Sequence, residues 1–203
     1  MFPIGQQGAF GLNWWDQGLM SAGRVREGEW WRALTALTLH VDAQHLVGNL
    51  VFGSLFGVLA AHSLGSGLAW FCTLAAGAAG NFSEAFLTSP DHTAVGASTA
   101  IFGTLGLMVT SEWTRRGQQR APWVRRVAPL FGGAVLFGWL GVGDGSGRVD
   151  VLAHATGFMA GAAIGVAVGR LQLPSILTQR AQRGLAAATF LVVAAAWAVA
   201  LAS

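Results

Sequence analysis

Charge is what this sequence has least of. Only 10% of its 203 residues are charged and 53% are apolar, whereas a soluble domain carries roughly a quarter charged residues. That deficit excludes an ordinary water-soluble surface and points to a chain embedded in a bilayer. Lysine is absent, so all 12 basic residues are arginine. They cluster in short segments between apolar runs and form no stripe along a polar face, which argues against a nucleic-acid partner. A single cysteine, Cys72, excludes an internal disulfide, and its apolar surroundings read as a buried, inert thiol. Residues 1–11 have no basic stretch followed by an apolar core, so no cleavable signal peptide is expected and insertion falls to the membrane helices themselves. No internal repeat is evident, which weighs against a transporter built from duplicated halves.

What the chain has instead is apolar length. Six segments approach the ~20 residues that a spanning helix requires, near 44–62 (A), 67–87 (B), 94–113 (C), 127–143 (D), 149–169 (E) and 184–202 (F). The expected fold is an all-α polytopic membrane helical bundle forming one domain. Residues 1–43 make an external interfacial loop, 44–169 the central helices, 170–183 a cytoplasmic loop and 184–202 a further helix. Trp14, Trp15, Trp30 and Trp31 suit the interface, where an indole keeps its N–H wet. The 29 glycines suit close helix packing in lipid.

Loop charge sets the expected orientation. Arg115, Arg116, Arg120, Arg125 and Arg126 lie between C and D, and Arg170, Arg180 and Arg183 between E and F. Two crossings separate these loops, so they share a side, and the positive-inside rule makes it the cytoplasm. Segments A, C and E then all start from the outer side. Each carries polar groups near that end, where burial in lipid is costly and polar residues tend to be functional. A has His45 and Asn49, four apart on one face; C has Ser98; E has His154. All three fall within the first turns, hence at one shallow depth.

Ala153, Gly157, Gly161, Gly165 and Gly169 repeat every four residues along E, a small-residue stripe for tight packing. Gly96, Gly103 and Gly106 offer the matching surface on C. Packing through these glycines would bring Ser98 and His154 within hydrogen-bond reach. A serine hydroxyl becomes a useful nucleophile when a base takes its proton, and neutral imidazole is such a base. His45, the Asn49 amide and the Ser98 N–H are candidate donors to an oxyanion. Asp150, one turn before His154, is placed to orient it, although a solvated loop carboxylate is the better reading. His40 and His92 read as loop residues and His62 as interfacial. A metal site from His40, His45 and His154 has no supporting spacing, so no metal is expected.

These residues resemble the rhomboid family of intramembrane serine proteases. Trp31-Arg32, His45-Leu46-Val47-Gly48-Asn49, Gly96-Ala97-Ser98-Thr99 and Ala153-His154 with Gly157 and Gly161 are similar, in order, to its Trp-Arg, H-x-x-x-N, G-x-S-x and A-H-x-x-G-x-x-x-G motifs. The resemblance covers residues 28 to 169. It implies an endopeptidase with a Ser98–His154 dyad, His45 and Asn49 at the oxyanion, and an active site lined by Gly96 and by Phe102 against the histidine. It implies no cofactor, single-pass membrane proteins as substrates, and a bacterial cytoplasmic membrane with the site facing outward. Segments A to E would be the second to sixth helices of the family's core, with the first missing and F extra. Thr99 stands where the family often has glycine. The alternative to catalysis is a rhomboid-like scaffold that binds transmembrane helices through the same cleft.

Overall fold

A computed structural model describes residues 11–141 and 150–203, and they form a helical bundle with one two-stranded ribbon. Three short helices open it: α1 (Trp14–Gly18), α2 (Ala22–Arg26) and α3 (Arg32–Thr35). Six long helices follow: α4 (Ala43–Leu64), α5 (Ser66–Leu87), α6 (Ser98–Gln118), α7 (Trp123–Gly141), α8 (Val151–Arg170) and, after the single turn α9 (Leu173–Ile176), α10 (Gln179–Ala202). Among the described residues, α4, α8 and α10 are long and apolar enough to cross a membrane. At 22, 21 and 19 residues, α5, α6 and α7 match them in length.

The low apolarity of α6 has a structural cause. It is the bundle's central helix, buried on most of its circumference between α4, α5, α7 and α8. A helix wrapped by protein can carry hydroxyls, provided each finds an acceptor. Thr104 donates to the Ala100 carbonyl (2.9 Å) and meets Thr73 of α5 (2.8 Å), while Thr110 reaches the carbonyls of Gly106 (2.9 Å) and Ala162 (2.8 Å). By contrast α4 presents Val47, Leu50, Val51, Leu55 and Val58 outward, as a face turned to lipid would.

The glycine stripe is the seam of the molecule. A Cβ on Gly161 would stand 1.8 Å from the Gly103 carbonyl oxygen, and one on Gly157 2.2 Å from that of Thr99. Gly106 meets the Phe158 carbonyl in the same way. Backbone thus lies on backbone between α6 and α8. Cys72 is buried beside Leu68, Leu107 and Val168.

The outer segment is tied down by polar anchors. Arg32 is buried; it donates to Glu29 (2.5 Å) and to the carbonyls of Asp16 (2.7 Å) and Leu19 (2.9 Å). Trp197 of α10 packs its ring edge-on to Trp14 and donates to Thr38 (3.1 Å). Gln182 accepts from the Leu68 N–H (2.8 Å) and donates to the Leu64 carbonyl (3.0 Å), closing the α4–α5 turn.

Segment C begins later than hydropathy indicates. Residues near 94 are not helical: β2 (Thr93–Ala94) pairs antiparallel with β1 (Met20–Ser21), Met20 opposite Ala94. Gly96 then turns the chain with φ +127°, a conformation that favours glycine, and α6 starts at Ser98.

Candidate active site

The ribbon, the Gly96 turn and the glycine seam together decide where Ser98 stands. The Gly96 N–H donates to the Ala36 carbonyl (2.9 Å), fixing the turn to the outer segment. A Cβ at Gly96 would lie 2.5 Å from His45 Cε1 and 3.5 Å from Asn49 Nδ2. This glycine therefore packs on the His45–Asn49 face of α4, not on α8 as the sequence pattern indicates. Ser98 is the first residue of α6, so its backbone N–H belongs to the set that a helix leaves without an internal partner.

His154 is held from two sides. Its Nδ1 lies 2.9 Å from the Gly141 carbonyl oxygen. A carbonyl only accepts, so Nδ1 carries the proton and Nε2 keeps its lone pair. The ring stacks on Phe102 at 4.2 Å between centroids and 27° between planes. Phe137 in turn meets Phe102 edge-on, so α7 buttresses the stack.

His45 and Asn49 occupy one face of α4. Asp42 caps that helix by accepting from the His45 N–H (2.7 Å). His45 Nδ1 and Asn49 Nδ2 are buried and have no hydrogen-bond partner among the described residues. His40 lies edge-on to His45 at 5.3 Å. Burial pushes His40 below the ordinary histidine pKa; the neighbouring His45 lowers it further, and a backbone hydrogen bond at Thr38 opposes both.

Ser98, His154, His45, Asn49 and Phe102 line one open cavity of about 1000 Å³. The N-termini of α4, α6 and α8 thus meet at one end of the bundle. Among the described residues no hydrogen bond joins Ser98 to His154, although both line this cavity. Gly157 and Gly161 lie in the seam below and serve packing.

One sequence reading needs correction. Asp150 neither orients His154 nor stands free in solvent. It caps α8 by accepting from the Ala153 N–H (3.0 Å) and pairs with His92 (3.1 Å). His92 does lie in the loop before β2, and it also contacts the fully buried Glu84 (3.1 Å). Sequence reasoning missed the Gly141 carbonyl altogether. It comes from the end of a different helix, and a backbone acceptor leaves no trace in residue type.

Comparison with known proteins agrees with this architecture. Residues 27–171 match the Rhomboid domain family. The chain is 31% identical over 161 residues to "Rhomboid protease GluP" of Bacillus subtilis (strain 168), covering 75% of this chain and 30% of that protein. It is 30% identical over 141 residues to "Putative rhomboid protease YdcA" of the same organism, covering 68% of this chain and 66% of that one. The chain thus spans less than two thirds of the length of either relative. No solved structure matches it. With its apolar helices, its glycine seam and a domain match over most of its length, the chain belongs to the rhomboid family.

Proposed function

We propose that this protein is an intramembrane serine endopeptidase that cleaves single-pass membrane proteins. Ser98 Oγ attacks the scissile carbonyl. His154 Nε2 takes the hydroxyl proton and returns it to the leaving amine, and a water then releases the acyl group by the same route. The tetrahedral oxyanion is received by the Ser98 N–H, the Asn49 amide and His45. No carboxylate is required as a third member, because the Gly141 carbonyl and the Phe102 face already set the tautomer and tilt of the imidazole.

The observation that carries this reading is the joint state of the donors and the base. Buried polar groups are normally partnered, yet Asn49 Nδ2 and His45 Nδ1 have no partner among the described residues and line the cavity that holds Ser98. Groups left unpaired beside a hydroxyl and a pre-oriented imidazole suit a charge that arrives only with substrate. The missing Ser98–His154 hydrogen bond is compatible, since such contacts tighten on substrate binding.

The positive-inside rule, applied to the arginine-rich loops, supports a cytoplasmic position for the opposite end of the bundle and hence a cavity that opens outward, in a bacterial cytoplasmic membrane. Residues 44–169 supply the catalytic helices, and α10 lies outside that set. The test is cleavage of a tagged single-pass substrate in membranes. The native chain should cut, and Ser98→Ala and His154→Ala should each lose at least ~10³-fold in rate. Substrate capture without cleavage by the native chain would favour a scaffold instead.

A further inference from the structure

We propose that Glu84, His92 and Asp150 form a binding site for one divalent cation of the zinc class, linking α5 to the segments that lead into Ser98 and His154. One donor atom from each residue lies within 4.8 Å of the other two. His92 Nε2 is 3.1 Å from Glu84 Oε1 and 3.1 Å from Asp150 Oδ2. Bonds of ~2.0 Å to nitrogen and oxygen in a tetrahedron separate neighbouring ligands by roughly 3.3 Å. The side chains therefore already stand near the edges of such a polyhedron.

The second observation is Glu84 itself. It is wholly buried, and its carboxyl group meets both His92 and the Asp150 carboxyl. A buried carboxylate is costly unless it is paired or ligates a metal. The single imidazole of His92 faces two carboxyl groups and cannot balance both. A dication would draw both carboxyl groups onto itself in place of their contact with each other. One imidazole and two carboxylates are also an accepted donor set for zinc. Asp150 has its other oxygen on the Ala153 N–H, which fixes the ligand's rotamer as partners behind a metal ligand do. His92 and Asp150 line the cavity, leaving a path for the ion and for water at a fourth position.

No linear metal motif announces this site. Its ligands come from a helix end, a loop and a cap, and only the fold assembles them. It is distinct from the Ser98–His154 pair, so it stands or falls separately from the proteolytic reading. Its mechanical consequence is local: His92 adjoins β2, four residues before Gly96, and Asp150 opens α8 four residues before His154.

The experiment titrates the detergent-purified full chain with Co²⁺, read by its visible d–d absorption, and with Zn²⁺, read by calorimetry. The expected result is one equivalent bound with tetrahedral cobalt intensity. His92→Ala and Glu84→Gln should weaken binding at least 30-fold, while His45→Ala and His154→Ala should leave it unchanged. His92→Cys should keep the cobalt site and add a thiolate-to-cobalt charge-transfer band, which a merely structural histidine would not yield. The proposal is overturned if the native chain binds neither ion, if binding survives His92→Ala, if it is lost in the His45 or His154 variants, or if His92→Cys gives no charge-transfer band.

Discussion

Substituting Gly161 by alanine adds one methyl group at the tightest point of the α6–α8 seam. Its Cβ would stand 1.8 Å from the Gly103 carbonyl oxygen, where ordinary contact begins at 3.4 Å. Neither atom belongs to a flexible side chain, so the helices themselves must separate, by about 1.5 Å at that level. Overpacking of this kind costs ~1–3 kcal/mol. Alanine's better helix propensity returns about 1 kcal/mol, so the net loss is at most about 2 kcal/mol. Activity should suffer more than stability. Ser98 rides on α6 and His154 on α8, and a displacement of ~1 Å between reacting groups costs on the order of 10²-fold in rate. Gly132→Ala on α7 is the matched control, since a Cβ there meets nothing within 4 Å. The assay is substrate cleavage in proteoliposomes beside thermal unfolding in detergent. Gly161→Ala should fall at least ~50-fold in rate while Gly132→Ala stays within about 2-fold. Cleavage by Gly161→Ala within 3-fold of the native rate would refute the idea that this seam sets the distance between the two groups.

Arg32→Lys keeps the charge but loses the fork that reaches Glu29, Asp16 and Leu19 at once; it should cost about 3 kcal/mol, visible as a lowered unfolding midpoint, and an unchanged midpoint would show the anchor to be idle. His40 is held below the ordinary histidine pKa by burial and by His45, so the unfolded chain binds its proton first as pH falls. Stability contributed by neutral His40 is present above ~6.5 and is lost progressively below that value. His40→Gln should flatten the fall in unfolding midpoint between about pH 6.5 and 5, and an unaltered slope would assign the acid sensitivity to another group.

The fold class is legible in the sequence because lipid demands apolar length, and three of the six long helices supply it outright. Where the prediction slips, protein contacts outweigh local hydropathy. Segment C looks helical from 94, but Thr93 and Ala94 pair with Met20 and Ser21, more than seventy residues away, and no local pattern reports that partner. The Ser98, His154 and His45–Asn49 set is visible because costly polar groups stand out at one depth on three helices. The partners that orient it are less visible. Asp150 is the nearest acid to His154 in sequence, yet its carboxylate turns back to the α8 N-terminus and to His92. The actual partner of Nδ1 is a glycine carbonyl at the end of α7. Gly96 reads as part of the small-residue surface facing α8 but packs on His45 of α4, because a glycine marks close approach without naming what approaches.

The three helices that converge on the cavity do not end alike. Asp42 caps α4 and Asp150 caps α8, each carboxylate accepting from a first-turn N–H. The residue before α6 is Ala97, which has no side-chain hydrogen bond to offer. A helix N-terminus carries roughly half a positive charge, and a carboxylate there is worth ~0.3–1 kcal/mol. Leaving α6 uncapped therefore forgoes stability at the one helix that begins with Ser98. The uncovered N–H groups are the ones that an oxyanion on the substrate would need. Ala97→Asp separates the two roles. A carboxylate beside the first turn should leave the unfolding midpoint equal or raise it slightly. It should also lower the cleavage rate by ~10²-fold or more, because its negative charge competes with the oxyanion for the same dipole. An Ala97→Asp protein that is as stable as the native chain and cuts at the native rate would show that the open helix end plays no part in the chemistry.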